Sequence, residues 1–325
     1  MELVGLVGRT VLKVLEEKNL PISEYKFFAS SKSKGKELLF MNKRYIVEEL
    51  TESSFDYGFD FAIFSAGKDV AKHFAPIVAS KNCIVIDNSS AFRMDKNVPL
   101  VVPEVNLKDA SFNSGIISNP NCSTIQAVVP LAPLDRHFRI KRIVYSTYQA
   151  VSGAGKKGVE DLENGLKGFP PQKFPYPIFN NCLPQIDDFN DNGYTKEETK
   201  MIEETKKILH RNDLYITATC VRVPVFNCHS ESINVEFYRN FTIDNVKQIL
   251  QSSPGVVLCD NPSEKLYPLP STSSGKNDVF VGRIRRDYSV RFGLNLWVVA
   301  DNVRKGAATN AVQIMEGLMN EKNSI

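Results

Sequence analysis

The sequence predicts an α/β domain with a parallel sheet, followed by an α+β domain with a mixed sheet. Two observations support this prediction. Up to about residue 122, short apolar strands alternate with helical patterns, which is typical of a parallel sheet. Further along the chain, the strands are longer and often alternate apolar with polar residues, which favours a mixed or antiparallel sheet. A chain of 325 residues is long enough for two domains.

The elements of the first half follow from hydrophobic periodicity. Residues 7–20 repeat apolar side chains at helical spacing, and Pro21 should end that helix. The other elements are predicted, in order, as strand 25–30, strand 59–67, helix 69–81, strand 83–87 and strand 115–122, with a helix beginning at residue 123.

The second half is predicted to be rich in β-structure. Its strands are expected at 141–151, 215–226, 231–238, 278–287 and 291–299. A Pro- and Asn-rich stretch, 168–194, reads as a long loop, and loops of that length are usually functional or form interfaces. The chain closes with a predicted helix over 305–322.

The composition excludes several classes of function. A formal net charge of +3 does not indicate a nucleic-acid partner or binding to an anionic membrane. No apolar run reaches the roughly 18 residues that a membrane span needs, and no secretory signal is recognisable. The 6 cysteines are scattered and should be reduced thiols, and no His/Cys cluster indicates a metal. We therefore predict a soluble cytoplasmic protein.

Cys122 is a candidate nucleophile because it lies where a predicted strand gives way to a helix. Ser123 and Thr124 would occupy the first helical turn. Free N–H groups and the positive end of the helix dipole lower the pKa of a thiol placed there. A buried structural cysteine is the alternative, and it is the commoner fate of a lone cysteine. The position at the junction favours the nucleophile.

His229 is the candidate proton-handling partner of that thiol. Three of the four histidines lie in helical or polar surroundings typical of the surface, whereas His229 ends a segment that also carries Arg222. Seven extended residues span roughly 20 Å, so the two side chains could contact one substrate only if the chain bends, for example at Pro224. A solvated strand edge is the alternative.

Further charged residues could bind a substrate. Glu197 and Lys200 are spaced i,i+3 on one face of a predicted helix, where a surface ion pair would be the ordinary interpretation. Arg93 follows a strand end and a Ser-rich turn, where anion contacts are often built.

The first residues indicate a nucleotide site. Gly5 and Gly8 stand just before a helical pattern, as in a nucleotide-binding turn, but only residues 1–4 precede them, so the first strand is predicted to be truncated. After the next strand comes SSKSKGK (30–36), with no acid to hold a ribose 2′-OH. Its hydroxyls and Lys32 and Lys34 suit a 2′-phosphate, which predicts NADP. A flexible basic hairpin is the alternative.

Several segments, in this order along nearly the whole chain, resemble the aspartate-semialdehyde dehydrogenase family in its bacterial, NADP-dependent form. They are IDNSSAFRM (86–94), PLVVPEVN (99–106), SNPNCST (118–124), STYQAVSGAG (146–155), CVRVPVFNCHSES (220–232), FVGRIRRD (280–287) and WVVADNVRKGAATNAVQI (297–314). The resemblance implies a Rossmann-like NADP-binding domain, 1–121, completed by 303–325, and a catalytic and dimerisation domain, 122–302. It also implies a homodimer, sometimes paired into a tetramer.

The resemblance further implies an activity and a role for each matching residue. The reaction would be the reversible NADPH-dependent conversion of L-aspartyl-4-phosphate into L-aspartate-4-semialdehyde and phosphate, in the biosynthesis of aspartate-family amino acids. The acyl site would comprise Cys122 as nucleophile, His229 as general acid/base, Gln149 orienting the thioester, Arg222 on the α-carboxylate, Glu197 on the α-ammonium, and Arg93, Lys200 and Asn121 on the phosphate. NADP would contact Gly5, Leu6, Val7, Gly8, Ser30, Ser31, Ser33, Ser65, Ala66, Gly67, Ser152, Gly153 and Asn302.

Other interpretations rank below this one. N-acetyl-glutamyl-phosphate reductases share the layout but usually have Gly before the cysteine, where this chain has Asn121. Archaeal-type malonyl-CoA reductases are more distant. A catalytically silent dimeric relative is a further alternative, because the family's opening resembles GATGxVGR and Glu2 stands where its first glycine would be. That opening predicts weak cofactor binding and lowered stability, or an N-terminus that is incompletely represented.

Overall fold

The computed structural model describes residues 5–322 and divides into two compact units. The first unit comprises the chain up to Pro120 and again from Ala307, and the second comprises Asn121–Gly306. Within residues 5–322, every helix is too short or too polar to cross a membrane.

The helices are α1 (Leu6–Lys18), α2 (Lys68–Ala79), α3 (Pro103–Asn106), α4 (Cys122–Phe138), α5 (Lys156–Gly165), α6 (Lys196–Leu209), α7 (Ile243–Gln251), α8 (Pro270–Ser273) and α9 (Asn310–Lys322). The strands are β1 (Phe28–Ala29), β2 (Glu37–Phe40), β3 (Lys43–Ile46), β4 (Glu48–Glu49), β5 (Phe61–Phe64), β6 (Ile84–Asp87), β7 (Ile116–Ser118), β8 (Ile140–Gln149), β9 (Tyr215–Arg222), β10 (His229–Phe237), β11 (Val256–Leu258), β12 (Val279–Asp287) and β13 (Gly293–Ala300).

The first unit is built on parallel strands. β5, β6 and β7 form one sheet in that order, and β1 pairs with β4 in another. One apolar cluster joins α1 and α9 through side chains such as Val14 and Val312, and a second lies under α2. A cavity of about 540 Å³ lies beside α1, β1 and β5 and is lined by residues that include Tyr25, Phe28 and Phe61. The predicted truncated strand, residues 1–4, lies outside the described residues.

The second unit is built on a six-stranded mixed sheet in the order β11-β12-β13-β10-β8-β9. The pairs β8/β9 and β11/β12 are parallel and the others are antiparallel. Along β10, His229, Glu231, Ile233 and the next alternate residues are buried, while Ser232, Asn234 and Glu236 are partly exposed. α4 and α6 pack against this sheet and bring their N-terminal turns to the end of β8.

The fold class predicted from periodicity is confirmed, but several strand boundaries are wrong. The predicted strand 115–122, for example, ends at Ser118, and Cys122 already belongs to α4. The predicted strand 215–226 ends at Arg222, and His229 begins a different strand, β10. β8 lies between β9 and β10, so residues 223–228 must leave the ladder to cross its end. The basic segment 30–36 is not a hairpin: it contains a helical turn, Ser31–Ser33, and the hairpin β2–β3 follows it. The segment 168–194 lacks helices and strands, as predicted.

Candidate active site

Cys122 is the first residue of α4, as the sequence predicts. Asn121 caps the helix, and its side-chain oxygen accepts from the N–H groups of Ser123 (3.0 Å) and Thr124 (3.4 Å). The thiol is partly exposed, whereas Cys83, Cys220 and Cys228 are buried. A thiol on the first turn of a 17-residue helix lies at the positive end of the helix dipole, which favours the thiolate.

His229 lies beside that thiol, with its Nε2 3.3 Å from Sγ of Cys122. On the other side of the ring, Nδ1 accepts a hydrogen bond from the backbone N–H of Ala150 at 3.0 Å. A backbone N–H can only donate, so Nδ1 is unprotonated and the neutral ring carries its proton on Nε2, facing the sulfur. Burial, and then the charge of Arg222, hold the pKa of His229 well below its usual value, so the ring is neutral.

Glu197 connects the cap of α4 to the end of β8. Its Oε1 accepts from Nδ2 of Asn121 (2.9 Å) and from Nε2 of Gln149 (3.1 Å), and the residue is 5% exposed. Burial alone would raise the pKa of Glu197, but Lys200 and the two amides outweigh it, and the pKa lies below its usual value. A buried, ionised carboxylate at this place suits a cationic group of a ligand.

Lys200 is not part of an ordinary surface ion pair. Its Nζ donates to Oε2 of Glu197 (3.1 Å) and to Oδ2 of Asp187 (2.9 Å). Burial alone would lower the pKa of Lys200, but the two carboxylates raise it above its usual value. No pattern in the sequence identifies Asp187, which lies in the long loop and has a left-handed φ of 69°.

Arg222 lies at the end of β9, beside the last residue of β8, and is 5% exposed. Its Nη1 donates to the carbonyl of Ala150 at 2.6 Å, and its Nε is buried with no hydrogen-bond partner among residues 5–322. Burial lowers the pKa of Arg222 from its usual value, partly offset by Glu197. At Gly153, an added Cβ would lie 2.9 Å from Nη1 of Arg222 and 3.2 Å from Cε1 of His229. The chain therefore does bring Arg222 and His229 together.

Two supporting residues were missed by sequence reasoning. Glu204, 1% exposed, accepts from the backbone N–H of Asn121 at 2.6 Å. It lies two turns after Glu197 on the same face of α6, and this spacing is the one signal that could have identified it. Gly306 lies in a π-helical turn, Arg304–Thr309, where an added Cβ would be only 2.8 Å from Cβ of Cys122. Nothing local in the sequence indicates that approach.

The predicted cofactor residues divide between the two units. In the second unit, Nδ2 of Asn302 donates to Oγ of Ser152 at 3.1 Å, while Oδ1 of Asn302 accepts from the backbone N–H of Cys228 at 3.0 Å. Gly153 follows Ser152 in the same helical turn, Val151–Ala154. These residues adjoin the acyl site.

In the first unit, Gly5 is the N-cap of α1, and Leu6, Val7 and Gly8 form its first turn. Ser30 and Ser31 are exposed after β1, whereas Ser33 is 5% exposed and its hydroxyl lies 3.5 Å from Nζ of Lys36. The remaining predicted contacts follow β5 and lead into α2, and they are Ser65, Ala66 and Gly67. Gly67 has a φ of 88°, a left-handed conformation that glycine adopts without strain.

Arg93 belongs to the first unit and is 9% exposed. Its Nε donates to the carbonyl of Asn119 (3.0 Å) and its Nη2 to that of Asn88 (3.1 Å). Within residues 5–322 there is no group of three His, Cys, Asp or Glu side chains that could hold a metal ion.

A parallel α/β unit joined to a unit in which a cysteine begins a helix beside a buried histidine fits a dehydrogenase of the thiol-dependent class. Residues 3–112 match the family model "Semialdehyde dehydrogenase, NAD binding domain", and residues 131–305 match "Semialdehyde dehydrogenase, dimerisation domain". The chain belongs to the aspartate-semialdehyde dehydrogenase family.

Individual relatives agree with this assignment. The aspartate-semialdehyde dehydrogenase of Aquifex aeolicus is 52% identical, over 98% of this chain and 96% of the relative. The crystal structure of aspartate semialdehyde dehydrogenase II from Vibrio cholerae complexed with ASA has a TM-score of 0.93 and 45% identity, and covers 98% and 96% of the two chains. The enzyme from Candida albicans with NADP has a TM-score of 0.78 and 26% identity, with 98% and 97% coverage.

Proposed function

We propose that the protein reversibly converts L-aspartyl-4-phosphate into L-aspartate-4-semialdehyde and phosphate, using NADPH, in the biosynthesis of aspartate-family amino acids. The observation that carries this proposal is the pair of Cys122 and His229 at 3.3 Å, adjoining a buried anionic group and a buried cationic group. Such a site suits an amino acid whose side-chain carbonyl is to be attacked. We place the enzyme in the cytoplasm, where such small metabolites are made.

The thiolate of Cys122 attacks the acyl phosphate carbon. A C–S bond forms, and the C–O bond to phosphate breaks with both electrons leaving on phosphate, which gives a thioester. Bound NADPH supplies the hydride that reduces this thioester. His229 is the proposed general acid/base, beside the sulfur of Cys122. Its Nε2–H stabilises the carbonyl oxygen of the acyl group, which becomes negative on attack, and Gln149 orients the thioester. When the carbonyl reforms, the C–S bond breaks and the thiolate of Cys122 is restored.

Charged side chains orient the substrate. Arg222, buried and with no hydrogen-bond partner for its Nε within residues 5–322, would bind the α-carboxylate, and Glu197 the α-ammonium. Lys200, Asn121 and Arg93 would bind the phosphate. The ionised Glu197 disfavours N-acetylated substrates, because an acyl group would remove the positive charge that Glu197 attracts.

NADP is the proposed cofactor, and the first unit fits a dinucleotide. Within the described chain, no side chain caps the N-terminus of α1 after Gly5, so its first N–H groups can donate hydrogen bonds to phosphate oxygens. The exposed hydroxyls of Ser30 and Ser31 follow β1, where a 2′-phosphate would lie. The Candida albicans relative carries NADP, which supports this choice.

A homodimer formed through the second unit is the proposed assembly, and pairing of dimers into a tetramer would extend it. Alternate residues of β8 and β13 face away from the helices, and Tyr148 is 40% exposed there, with its ring 5.6 Å from that of Trp297. An open sheet face with aromatic side chains is typical of a protein–protein interface. Sedimentation velocity on the purified protein would test this assembly.

The activity is tested by phosphate-dependent reduction of NADP in the presence of L-aspartate-4-semialdehyde. We expect turnover by the native protein and a loss of at least about 10³-fold in Cys122→Ala. Cys182→Ala, which removes an exposed thiol, is the matched control and should retain full activity. Substantial turnover by Cys122→Ala would refute the thioester mechanism, and a folded but inactive native protein would refute the proposed function.

A further inference from the structure

Asp161 makes three hydrogen bonds to the backbone of the long loop. It lies on α5 and is 4% exposed. Its Oδ1 accepts from the N–H of Gln172 (2.8 Å), and its Oδ2 accepts from those of Lys173 (2.8 Å) and Phe174 (2.9 Å). Burial alone would raise the pKa of Asp161, but the three donors outweigh it and the pKa lies below its usual value. The carboxylate is therefore ionised at neutral pH and fixes three consecutive residues.

Phe174, the last of these three residues, lies against the substrate site. Its ring centroid is 5.9 Å from Cζ of Arg222. Another part of the ring packs on α5, because an added Cβ at Gly158 would meet Cζ of Phe174 at 3.2 Å. The ring also packs against a small apolar cluster that contains Leu162 and Leu183. The ring is thus fixed between α5, this cluster and the guanidinium.

The loop that carries Phe174 and Leu183 also determines the position and hydration of the Arg222 guanidinium. The main chain of Arg222 exchanges two hydrogen bonds with Leu183, at 2.8 and 2.9 Å, so the same loop holds Arg222 at two points. Among the described residues its Nε has no hydrogen-bond partner, and such a desolvated guanidinium attracts a carboxylate more strongly than a hydrated one. An aromatic ring next to the cation excludes water while it keeps an attractive contact with the charge.

We propose that Asp161 is a positioning residue for the substrate carboxylate: it fixes residues 172–174, and through them it holds Phe174 beside Arg222. This proposal rests on the proposed function, in which Arg222 binds the α-carboxylate of the substrate. Asp161 itself touches neither the substrate nor the reacting atoms.

Steady-state kinetics of full-length Asp161→Ala in the direction of aldehyde oxidation test this role. The KM for aspartate semialdehyde should rise about tenfold, since the cation–aromatic contact and the exclusion of water are lost. The values of kcat, KM for phosphate and KM for NADP should stay within about twofold. Glu163→Ala removes an exposed acid from the same helix, α5, and should match the native enzyme in all four constants.

Phe174→Leu provides a second test, because it keeps apolar packing and leaves the Asp161 hydrogen bonds in place. It should reproduce the selective rise in KM for aspartate semialdehyde. An unchanged KM in Phe174→Leu, or an Asp161→Ala variant whose kcat and three KM values all change together, would overturn the positioning role. Arg222→Leu separates the two proposals: if its KM for aspartate semialdehyde is unchanged, the assignment of Arg222 to the substrate carboxylate fails.

Discussion

Replacing Gly306 by alanine should displace the nucleophile. The added Cβ would lie 2.8 Å from Cβ, 3.2 Å from Cα and 3.4 Å from the carbonyl oxygen of Cys122. Carbon atoms normally approach to about 3.5–4.0 Å, so the first turn of α4 or the π-helical turn must move by at least about 0.7 Å. Gly306 does not have a left-handed φ, so space alone decides the outcome.

A shift of this size is large compared with the tolerance of the reaction. The distance between Sγ of Cys122 and Nε2 of His229 is 3.3 Å, and it would change by a similar amount. Misplacement of reacting groups by about 1 Å can cost about 10²-fold in rate, so we expect kcat to fall by about 10- to 100-fold. Overpacking should also lower the free energy of unfolding by about 1–3 kcal/mol.

The assay is kcat for phosphate-dependent NADP reduction, together with the rate at which iodoacetamide alkylates Cys122. Gly317→Ala is the control: its added Cβ would lie 2.8 Å from both Cδ atoms of Leu107, the far end of a side chain that can rotate. It should leave kcat unchanged. A folded Gly306→Ala enzyme with kcat within twofold of native would show that the position of Cys122 does not depend on its close contact with Gly306.

Two further predictions concern stability and cofactor choice. Glu231 is 0% exposed, and burial, outweighing the nearby amide of Gln126, raises its pKa well above the usual value. In the folded state Glu231 therefore keeps a proton that it loses in the unfolded state above about pH 4.3. The free energy of unfolding should fall as the pH rises, by about 1.4 kcal/mol per pH unit, until the pH reaches the pKa of Glu231 in the folded state. Glu231→Gln should therefore be more stable than native in urea unfolding at pH 8 and equal to it near pH 4; a constant difference across pH would contradict this. Lys34 already donates to Glu49 at 3.3 Å, which leaves Lys32 as the main contact of a 2′-phosphate. Lys32→Ala should therefore raise the KM for NADP several-fold and Lys34→Ala should raise it less, while the KM for NAD serves as the comparison. Equal effects of the two substitutions would place the 2′-phosphate elsewhere.

Features that depend on neighbours in the sequence were predictable. Cys122 was identified because a strand end, a helix start and a thiol coincide within a few residues. Glu197 and Lys200 were paired by helical spacing, but their burial was not foreseen, because it depends on where α6 packs.

Features that depend on contacts between residues far apart in the sequence were not predictable. The apolar alternation of residues 215–226 predicted one strand, yet Val223 and the residues after it leave the sheet because the chain must cross the end of β8. No sequence pattern distinguishes Asp161 from other acidic residues in helices, because its role depends on the backbone of residues 172–174 folding back onto it. Glu204 and Gly306 were missed for the same reason.

The hydrogen bond from the backbone N–H of Ala150 to His229 affects which substitutions this site can tolerate during evolution. The proton's place on the imidazole is set by a main-chain group that every residue except proline possesses. Replacement of Ala150 by another amino acid of suitable size would therefore leave the tautomer intact. This element of the active site is invisible to comparison of sequences, and mutation can remove it directly at that position only by introducing proline.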